Sequence, residues 1–590
     1  MPPQRALCMS HAGSYPGKKA DVVHDETGSK AICDALLRAG IDVAFGLPGT
    51  QNVALYEALR TSSLRTVVAT NELSAAMMAN GYYRASGRVA ALVTIPGPGF
   101  MWALTGVAEA SLDSAALIHL VGLPAAGPGA RFQLQAIDQI AIARPLVRAL
   151  HRIDRAADIA DVIRRAHADA LEGEPGPVIV HVDRAVLEER SVPRESVFEA
   201  PPAARAMDGS QLAEAVRMLS TGRSLILAGQ GCSACPDALV RLAEALSATV
   251  VTTTSGRGVM AEDHALSLGF EFGGDTAETL NALVAASDTV LAIGCKFSHN
   301  GSRGFRLEIP PEKLIHVDTS AEVLGANYPA RIAMRADAGA FLDAVLASTH
   351  SAPRRGFDAA TVADFRARAR AETLRDRVEP RIHGVASGTP AEFFAILRKA
   401  MPREATLTTD SGLHQSLTRR HFRVLHPRGL LTPTNLQSMG FGIGAAIGAC
   451  VANPHGTVVA LIGDGGLLMS GLELAAAVRE RLRLVVIVFV DGAYGLIRFQ
   501  QLSATGQPFA TEFEPPDVAA LAQTVGANYV RVDGDLETQL REVFDRGGVT
   551  LVEVAVGDTL PMRWMQAKTV AKKWVGPRAR RSLRRLLGRR

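Results

Sequence analysis

Cysteine is scarce. Six residues in a chain of 590, Cys8, Cys33, Cys232, Cys235, Cys295 and Cys450, are too few and too scattered for a disulfide framework. Only Cys232 and Cys235 form a close pair. No second pair and no histidine follows at the spacing of a zinc site, so this C-x-x-C reads as two reduced thiols in a loop after a strand, in keeping with a reducing cytoplasm. Long apolar runs are also missing. Stretches such as Leu484 to Val490 fall far short of the roughly 20 residues that cross a bilayer, which excludes a membrane-spanning helix. Residues 1–27 mix Pro, Gly, Lys and acidic side chains with no apolar centre, so they read as a flexible arm and not a secretion signal. An apolar content of 47% with 21% charge excludes a disordered chain.

Acidic residues stop at Asp558. Eleven Lys or Arg follow before the end, more than the net charge of +4 of the whole chain, so the body is mildly acidic and residues 561–590 form a basic tail. The tail reads as a solvated extension. Contact with an anionic surface is the alternative, since Leu583, Leu586 and Leu587 give it one weak apolar face. No nucleic-acid partner is expected.

What remains is an alternation of Val/Ile/Leu runs with helical stretches, the mark of parallel sheets covered on both faces. Three blocks carry it. The first, 28–190, contains strands at Val43–Phe45, Ala90–Thr94, Leu117–Val121 and Val178–Val182. A Pro-rich linker, 191–206, leads to a second block, 207–347, with strands at Ser224–Ala228, Thr249–Thr253, Thr289–Ile293 and Lys313–Val317. A connector at 348–387 precedes the third, 388–560, with strands at Thr406–Thr409, Gly456–Ile462, Leu484–Val490 and Thr550–Val556. The expected architecture is α/β, with three doubly wound parallel-sheet domains. The outer blocks have similar sizes and strand counts, as if one plan were used twice.

Gly463-Asp464-Gly465-Gly466 directly follows a strand of the third block. A glycine turn there lets backbone N–H groups approach a phosphate. The next strand ends at Asp491, so Asp464 and Asp491 lie side by side at the carboxyl ends of two parallel strands, the edge where open α/β sheets bind ligands. Two carboxylates beside a phosphate turn suit Mg²⁺, with the carbonyl of Ala493 as a third ligand.

Residues 463–495, GDGGLLMSGLELAAAVRERLRLVVIVFVDGAYG, resemble the thiamine-diphosphate motif, with Asp491 where most members carry Asn, as in the catabolic branch of acetolactate synthases. Further ordered motifs extend the resemblance over about residues 28–560. Gly46-Leu47-Pro48-Gly49 is similar to the family's F-G-x-P-G turn, Asn71-Glu72-Leu73 with Gly81 to Gly87 to its glutamate helix, Asp410 to Gln415 to its D-x-G-x-H-Q stretch, and Ser438-Met439-Gly440-Phe441-Gly442 to its [ST]-M-G-[FY]-G segment. The resemblance is to the acetolactate synthase and 2-oxo-acid decarboxylase family, closest to large-subunit synthases. It makes the three domains pyrimidine-binding, central Rossmann-like and diphosphate-binding.

Read alone, Glu72 is an ordinary acid at a helix N-terminus. The resemblance gives it the glutamate that hydrogen-bonds N1′ of the aminopyrimidine. It gives Met439 the apolar residue that holds the cofactor bent, and Gln135 an approach to substrate, although Leu134 and Ala136 depart from the family's pattern. Gly49, Gly412, His414, Gln415, Gly440, Asp464, Gly465, Gly466, Asp491, Tyr494 and Gly495 become the remaining cofactor contacts, and Asp464, Asp491 and Ala493 the metal ligands. Phe100, in Ile95-Pro96-Gly97-Pro98-Gly99-Phe100, is expected to narrow the acceptor pocket. The implied cofactors are thiamine diphosphate and Mg²⁺. FAD in the central domain is left open, because the branch with Asp at this position generally lacks it. The implied substrates are small 2-oxo acids such as pyruvate, joined to give a product such as acetolactate. A decarboxylase of benzoylformate type or an aldehyde carboligase is the alternative, and a non-catalytic relative a more distant one. The family's active site forms between subunits, which implies a homodimer or homotetramer.

Overall fold

The computed structural model describes residues 26–123, 133–191, 207–271, 276–348, 356–375 and 378–558. The expected basic tail, nearly all of the arm and nearly all of the first linker lie outside the described residues. Within them the chain builds three doubly wound α/β domains. The first sheet runs Arg65–Val68, Val43–Gly46, Ala90–Thr94, Leu117–Leu123, Pro177–Asp183, Ala149–Ile153, all parallel. The third repeats that plan. Leu430–Leu431, Thr406–Thr409, Val458–Gly463, Leu484–Val490 and Val549–Gly557 are parallel in that order, Asn528–Arg531 pairs parallel with the last, and Arg381–Ile382 pairs antiparallel with it.

The central sheet is wound differently. Its order is Ser267–Glu271, Thr249–Thr252, Ser224–Ala228, Thr289–Ile293, Leu314–Asp318, Ile332–Arg335, with the switch of winding between its first and fourth strands in chain order, as in dinucleotide folds. The outer sheets switch between their first and third strands. The connector is no free linker. Its helix Ala359–Leu374 buries Val362 and Phe365 against Leu280 and Leu283 of the central domain, and Glu372 accepts the backbone N–H groups of Glu278 and Thr279 at 2.9 Å each.

The first and third domains share one hydrophobic core. At its centre the helices Glu72–Ser86 and Phe441–Ala452 cross. Both lack a polar face, as helices buried on all sides do; eleven successive residues, Phe441 to Val451, are buried. The crossing is close because the contact residues are small. A β-carbon on Gly448 would lie 2.0 Å from the carbonyl oxygen of Met78, and one on Gly81 would lie 2.3 Å from that of Ala445. Beside it, buried Arg84 donates to Asp113 at 2.8 Å and to the Thr432 carbonyl at 2.9 Å. Asp113 in turn accepts from the hydroxyl and backbone N–H of Thr434 at 2.6 and 3.2 Å. A buried ion pair is stabilising only when its remaining donors and acceptors are met, and here the other domain meets them. Arg257 and Glu262 do the same between the central and third domains, with Phe422 and Val424 as backbone partners.

In the first sheet, His119 and His181 face the same side of neighbouring strands, in the register Val121↔His181. Both are buried. Burial pushes the imidazoles down to about 3 and about 4.

Two predictions follow from this packing. Gly448→Ala must move a helix backbone and should cost about 1–3 kcal/mol or more in urea unfolding. Gly209→Ala, with nothing within 4 Å, should stay within about 0.5 kcal/mol. The second concerns pH. The unfolded histidines protonate near pH 6.5 and the folded ones far below, so their contribution is complete above about pH 6.5 and falls away towards pH 3–4, by at most about 1.4 kcal/mol per pH unit and histidine. The difference in unfolding free energy between His119→Gln and the parent chain should therefore change as pH drops from 7 to 4.5. A difference independent of pH would contradict the buried neutral imidazole.

Candidate active site

Two clusters gather at the carboxyl edges of the outer sheets. The first surrounds Glu72. Asn71 caps the helix, its Oδ1 accepting from the N–H of Ser74 at 2.8 Å, which fixes Glu72 in the first turn at 8% exposure. The carboxylate lies over Gly99, where a β-carbon would stand 2.8 Å from Oε1. Ile95 packs on Gly49 and on Gly99, so the glycine turn after the first strand and the turn after the third form one surface at the switch of winding.

Gln135 closes this surface. Gly97, at φ +65°, begins the helix Pro98–Leu112 and touches the Cβ of Gln135. The Gln135 side-chain oxygen is buried with no partner among the described residues, as is the Tyr56 hydroxyl. Such groups lose hydration without replacement and are open to a ligand's donor. Tyr56 feels the charge of Glu72, although sequence reading passed it over. Phe100 departs from expectation. Its ring is fully buried, stacked on His119 at 6.1 Å with Val121 and Ile179 around it, so it lines no acceptor pocket.

The second cluster surrounds Asp464. The glycine turn is itself the first turn of a helix, Asp464–Ser470, and not a loop ahead of one. Asp464 is fully buried. Its Oδ1 accepts from the N–H of Gly465 at 2.8 Å, and its Oδ2 from those of Asp491 and Gly492 at 3.1 and 2.7 Å. These bonds tie the two strand ends together. Burial raises the Asp464 carboxyl despite them. Asp491 is pushed up to about 7, first by burial and then by the charge of Asp464. Arg498, whose charge acts on it, is ion-paired to Asp558 at 2.6 Å and Glu512 at 3.1 Å. Gly495 lies against Asp491, where a β-carbon would be 2.4 Å from Oδ2. Ala493 is held by the bridge to Glu512, whose bonds use the carbonyls of Gly492 and Thr511 and not its own.

Gly465 leaves room for the ring of Tyr494 and the methyl of Met439, which a β-carbon there would meet at 2.9 and 3.6 Å. The half-buried Met439 and Tyr494 thus form an apolar wall beside the carboxylates. Behind it stands Asp410, which sequence reading placed in a motif without a role. It is buried and accepts the N–H groups of Ser411, Gly440 and Phe441 at 3.0, 3.0 and 3.1 Å. It thereby anchors the helix Phe441–Ala452 and holds Gly440 at φ +87°. Gly466 faces the same carboxylate, where a β-carbon would stand 2.4 Å from Oδ2. Burial lowers the His414 imidazole to about 4, so the ring is neutral. Its Nε2–H donates to the Asp410 carbonyl at 3.0 Å, and Nδ1 faces Gly463, where a β-carbon would lie 3.3 Å from it. Gly412, at φ +151°, accommodates that ring. Gln415 does not join this cluster, since its amide donates to Thr432 and Pro433 at 2.8 Å each.

Glu109 was also missed. It is fully buried, and burial with the neighbouring Asp113 pushes its carboxyl up to about 7. Its Oε2 accepts from the N–H of Ser438, next to Met439, at 2.9 Å. The first domain thus holds the Met439 segment of the third. No described contact joins the Glu72 cluster to the Asp464 cluster directly, and no three His, Cys, Asp or Glu side chains converge on one point among the described residues.

The chain was compared with known families and proteins. Its residues 26–142 match the N-terminal TPP binding domain of thiamine pyrophosphate enzymes, 212–345 their central domain, and 410–554 their C-terminal TPP binding domain. A probable acetolactate synthase large subunit of Methanocaldococcus jannaschii is 29% identical over 91% of this chain and 93% of its own. The large subunit of acetolactate synthase isozyme 1 of Escherichia coli is 28% identical over 90% and 94%. A probable 2-ketoarginine decarboxylase of Pseudomonas aeruginosa is 30% identical, also over 90% and 94%.

The hub role of Asp410 is testable without any ligand. Asp410→Ala leaves three N–H groups without their acceptor and should lower stability by at least about 2 kcal/mol, seen as a fall in the melting temperature by calorimetry. An unchanged melting temperature would contradict that role.

Proposed function

The chain belongs to the thiamine pyrophosphate enzymes and is similar to acetolactate synthase large subunits, and on that premise we propose that it decarboxylates a 2-oxo acid such as pyruvate and joins the remaining fragment to a second 2-oxo acid. The observation that carries the reading is the pair Asp464 and Asp491. Two carboxylates, one buried and the other half-buried, lie at adjoining strand ends, and neither forms an ion pair among the described residues. A divalent cation offsets such charge, and Mg²⁺ needs only one or two carboxylates when a diphosphate completes its shell. Asp464, Asp491 and the Ala493 carbonyl would hold it, with the N–H of Gly466, in the first turn of the helix Asp464–Ser470, facing the diphosphate.

Thiamine diphosphate, when bound, supplies the electron sink for decarboxylation and carbon–carbon bond formation. The chain supplies the rest. Glu72 would hold the proton shared with ring atom N1′ from a site that Gly99 opens and Ile95 keeps dry. Met439 and Tyr494 would press an apolar wall against the cofactor, and Glu109 would hold the Met439 segment in place through Ser438. Gln135, with its unmatched oxygen, would orient a substrate donor. Synthase chemistry is favoured over plain decarboxylation because Asn71, and no histidine, precedes Glu72. The 30% identical decarboxylase relative makes decarboxylation of a larger 2-oxo acid the second reading.

A second copy of the chain is part of the proposal. Met101 and Trp102 are 46% and 62% exposed beside Gly99, and Leu468, Met469 and Leu472 are 57%, 54% and 63% exposed beside Gly465. Apolar surface of this kind next to two separate half-sites favours a symmetric partner that joins them. FAD fits less well. In the Gly229-Gln230-Gly231 turn the N–H groups of Gly229 and Gly231 are used by the carbonyls of Ile293 and Gly294 at 2.9 and 3.1 Å, so those two amides are not available to a pyrophosphate. No flavin step enters the proposal. No helix among the described residues is long and apolar enough to cross a membrane. The five described cysteines are all free, which supports a cytoplasmic setting.

Incubation with thiamine diphosphate, Mg²⁺ and pyruvate should consume pyruvate and release CO₂ and acetolactate. CO₂ with acetaldehyde would identify a decarboxylase instead, and the absence of both products with bound cofactor would reject pyruvate as donor. Glu72→Gln should reduce turnover by about 10²–10⁴-fold, the scale of a lost proton-transfer group, while still binding cofactor. Mixing inactive Glu72→Gln and Asp464→Ala chains tests the partner. Exchange should restore about a quarter of parental activity if the site spans two subunits, and none if it lies within one.

A further inference from the structure

The pair Cys232–Cys235 is absorbed by none of this. The two residues flank Ser233 and Ala234 in a 3₁₀ turn, Gln230–Ala234, at the carboxyl end of the first strand of the central sheet. The N–H of Cys235 donates to the carbonyl of Cys232 at 3.1 Å. An i, i+3 pair in such a turn has α-carbons about 6 Å apart, inside the range a disulfide spans. The two thiols are close enough for each to shift the other's ionisation.

Their surroundings are unequal. Cys232 is fully buried, its Sγ 3.7 Å from the carbonyl of Ile293. Cys235 is half-buried and is the N-cap of the helix Pro236–Leu246. It also lies against Gly339, in the first turn of the helix Ala338–Ser348, where a β-carbon would stand 3.8 Å from its Sγ. Thiolates are stabilised at helix N-termini. The neighbouring Cys232 thiol lowers the Cys235 thiol, against burial and the charges of Asp337 and Asp343, and Cys232 itself is raised. Cys33, Cys295 and Cys450 are all raised by burial. A half-exposed thiol at a helix N-terminus, with a buried second thiol three residues before it, is the arrangement of an attacking and a resolving cysteine.

The turn also sits where the three domains meet. It lines a crevice of about 390 Å³ together with Asp113 and Glu174 of the first domain, Lys296 of its own, and Arg428 and Thr434 of the third. Gln230 donates from Nε2 to the carbonyl of Asp113 at 3.1 Å, the residue that grips Thr434.

We propose that Cys232 and Cys235 are a reversible dithiol–disulfide site at this three-domain junction, serving a cellular thiol–disulfide couple, with Cys235 as the attacking sulfur. The Cys235 thiolate attacks one sulfur of a disulfide R–S–S–R, a mixed disulfide forms, and RS⁻ leaves. Deprotonated Cys232 then attacks the Cys235 sulfur and releases the second RS⁻. The protein loses two protons and two electrons as its S–S bond forms, and R–S–S–R gains them as two thiols. In a reducing compartment such a bond is transient, the regime of redox sensing and not of structural disulfides.

The test uses the full chain with oxidised glutathione as probe, followed by acid quench, alkylation and peptide mapping by mass spectrometry. The peptide carrying both residues should lose two hydrogens and recover them in dithiothreitol, while Cys33, Cys295 and Cys450 remain alkylatable. In Cys232→Ser the glutathione adduct should accumulate on Cys235. On the reduced parent chain, iodoacetamide should label Cys235 at least about tenfold faster than Cys33, as thiolate fraction and access dictate. The proposal is overturned if the pair stays fully alkylatable in oxidised glutathione, if the adduct collects on Cys232, or if oxidation occurs only after the chain is unfolded in urea.

Discussion

The crossing of Glu72–Ser86 over Phe441–Ala452 is the constraint from which the rest of the structure takes its geometry. Helix axes approach this closely only where side chains are removed, and here Gly81 and Gly448 meet opposing main chain while Gly444 meets the Cβ of Met77. Both helices begin at the site. One starts with Glu72. The other starts just after Met439 and Gly440, with its first N–H groups held by Asp410. Their crossing therefore fixes how the two half-sites stand with respect to each other within a chain. The ties around it, Arg84–Asp113–Thr434 and Glu109–Ser438, are polar bonds in dry surroundings. Each is costly to leave half made.

The same dryness sets the electrostatics. Asp410, Asp464, Asp491 and Glu109 are all raised by burial before any neighbour is considered, and His414 is lowered by it. In water the four carboxyl groups would carry full charge at neutral pH. In these dry surroundings the charges are weakened or unmatched, and backbone N–H groups at helix starts compensate only part of the cost. A cation and a diphosphate brought together would complete what the protein leaves open.

Much of this was legible in the sequence, and the pattern of what was not is physical. Each strand read correctly from a continuous apolar run lies inside a sheet, buried on both faces: Ala90–Thr94, Ser224–Ala228, Thr289–Ile293 and Leu484–Val490 keep their bounds. The strands that escaped lie at edges. Ile332–Arg335 alternates buried and exposed residues, and Asn528–Arg531 has no fully buried residue, so their side chains give no run to read. Among the residues gathered at the two sheet edges, those in glycine-marked turns are the ones the sequence singles out. Asp410 and Glu109 were not assigned roles, because a buried carboxylate that serves a helix start in another domain leaves no local signature. The Asx cap of Asn71 on Ser74 and the Asp410–Gly440 spacing of thirty residues are the closest thing to one. Phe100 misled because its neighbours in sequence are site residues while its ring belongs to the core beneath.

The shared core of the outer domains has a consequence for how the chain comes into being. Residues 72–86 leave the ribosome more than 350 residues before the helix that completes their packing. Until Phe441–Ala452 is made, the nascent first domain exposes a helix with apolar residues on every side, and the central domain, with cores of its own, can finish first. Long-range closure of this kind is slow and leaves apolar surface open in the meantime. The glycines that permit the final embrace thus also prescribe its order: middle first, ends together, last.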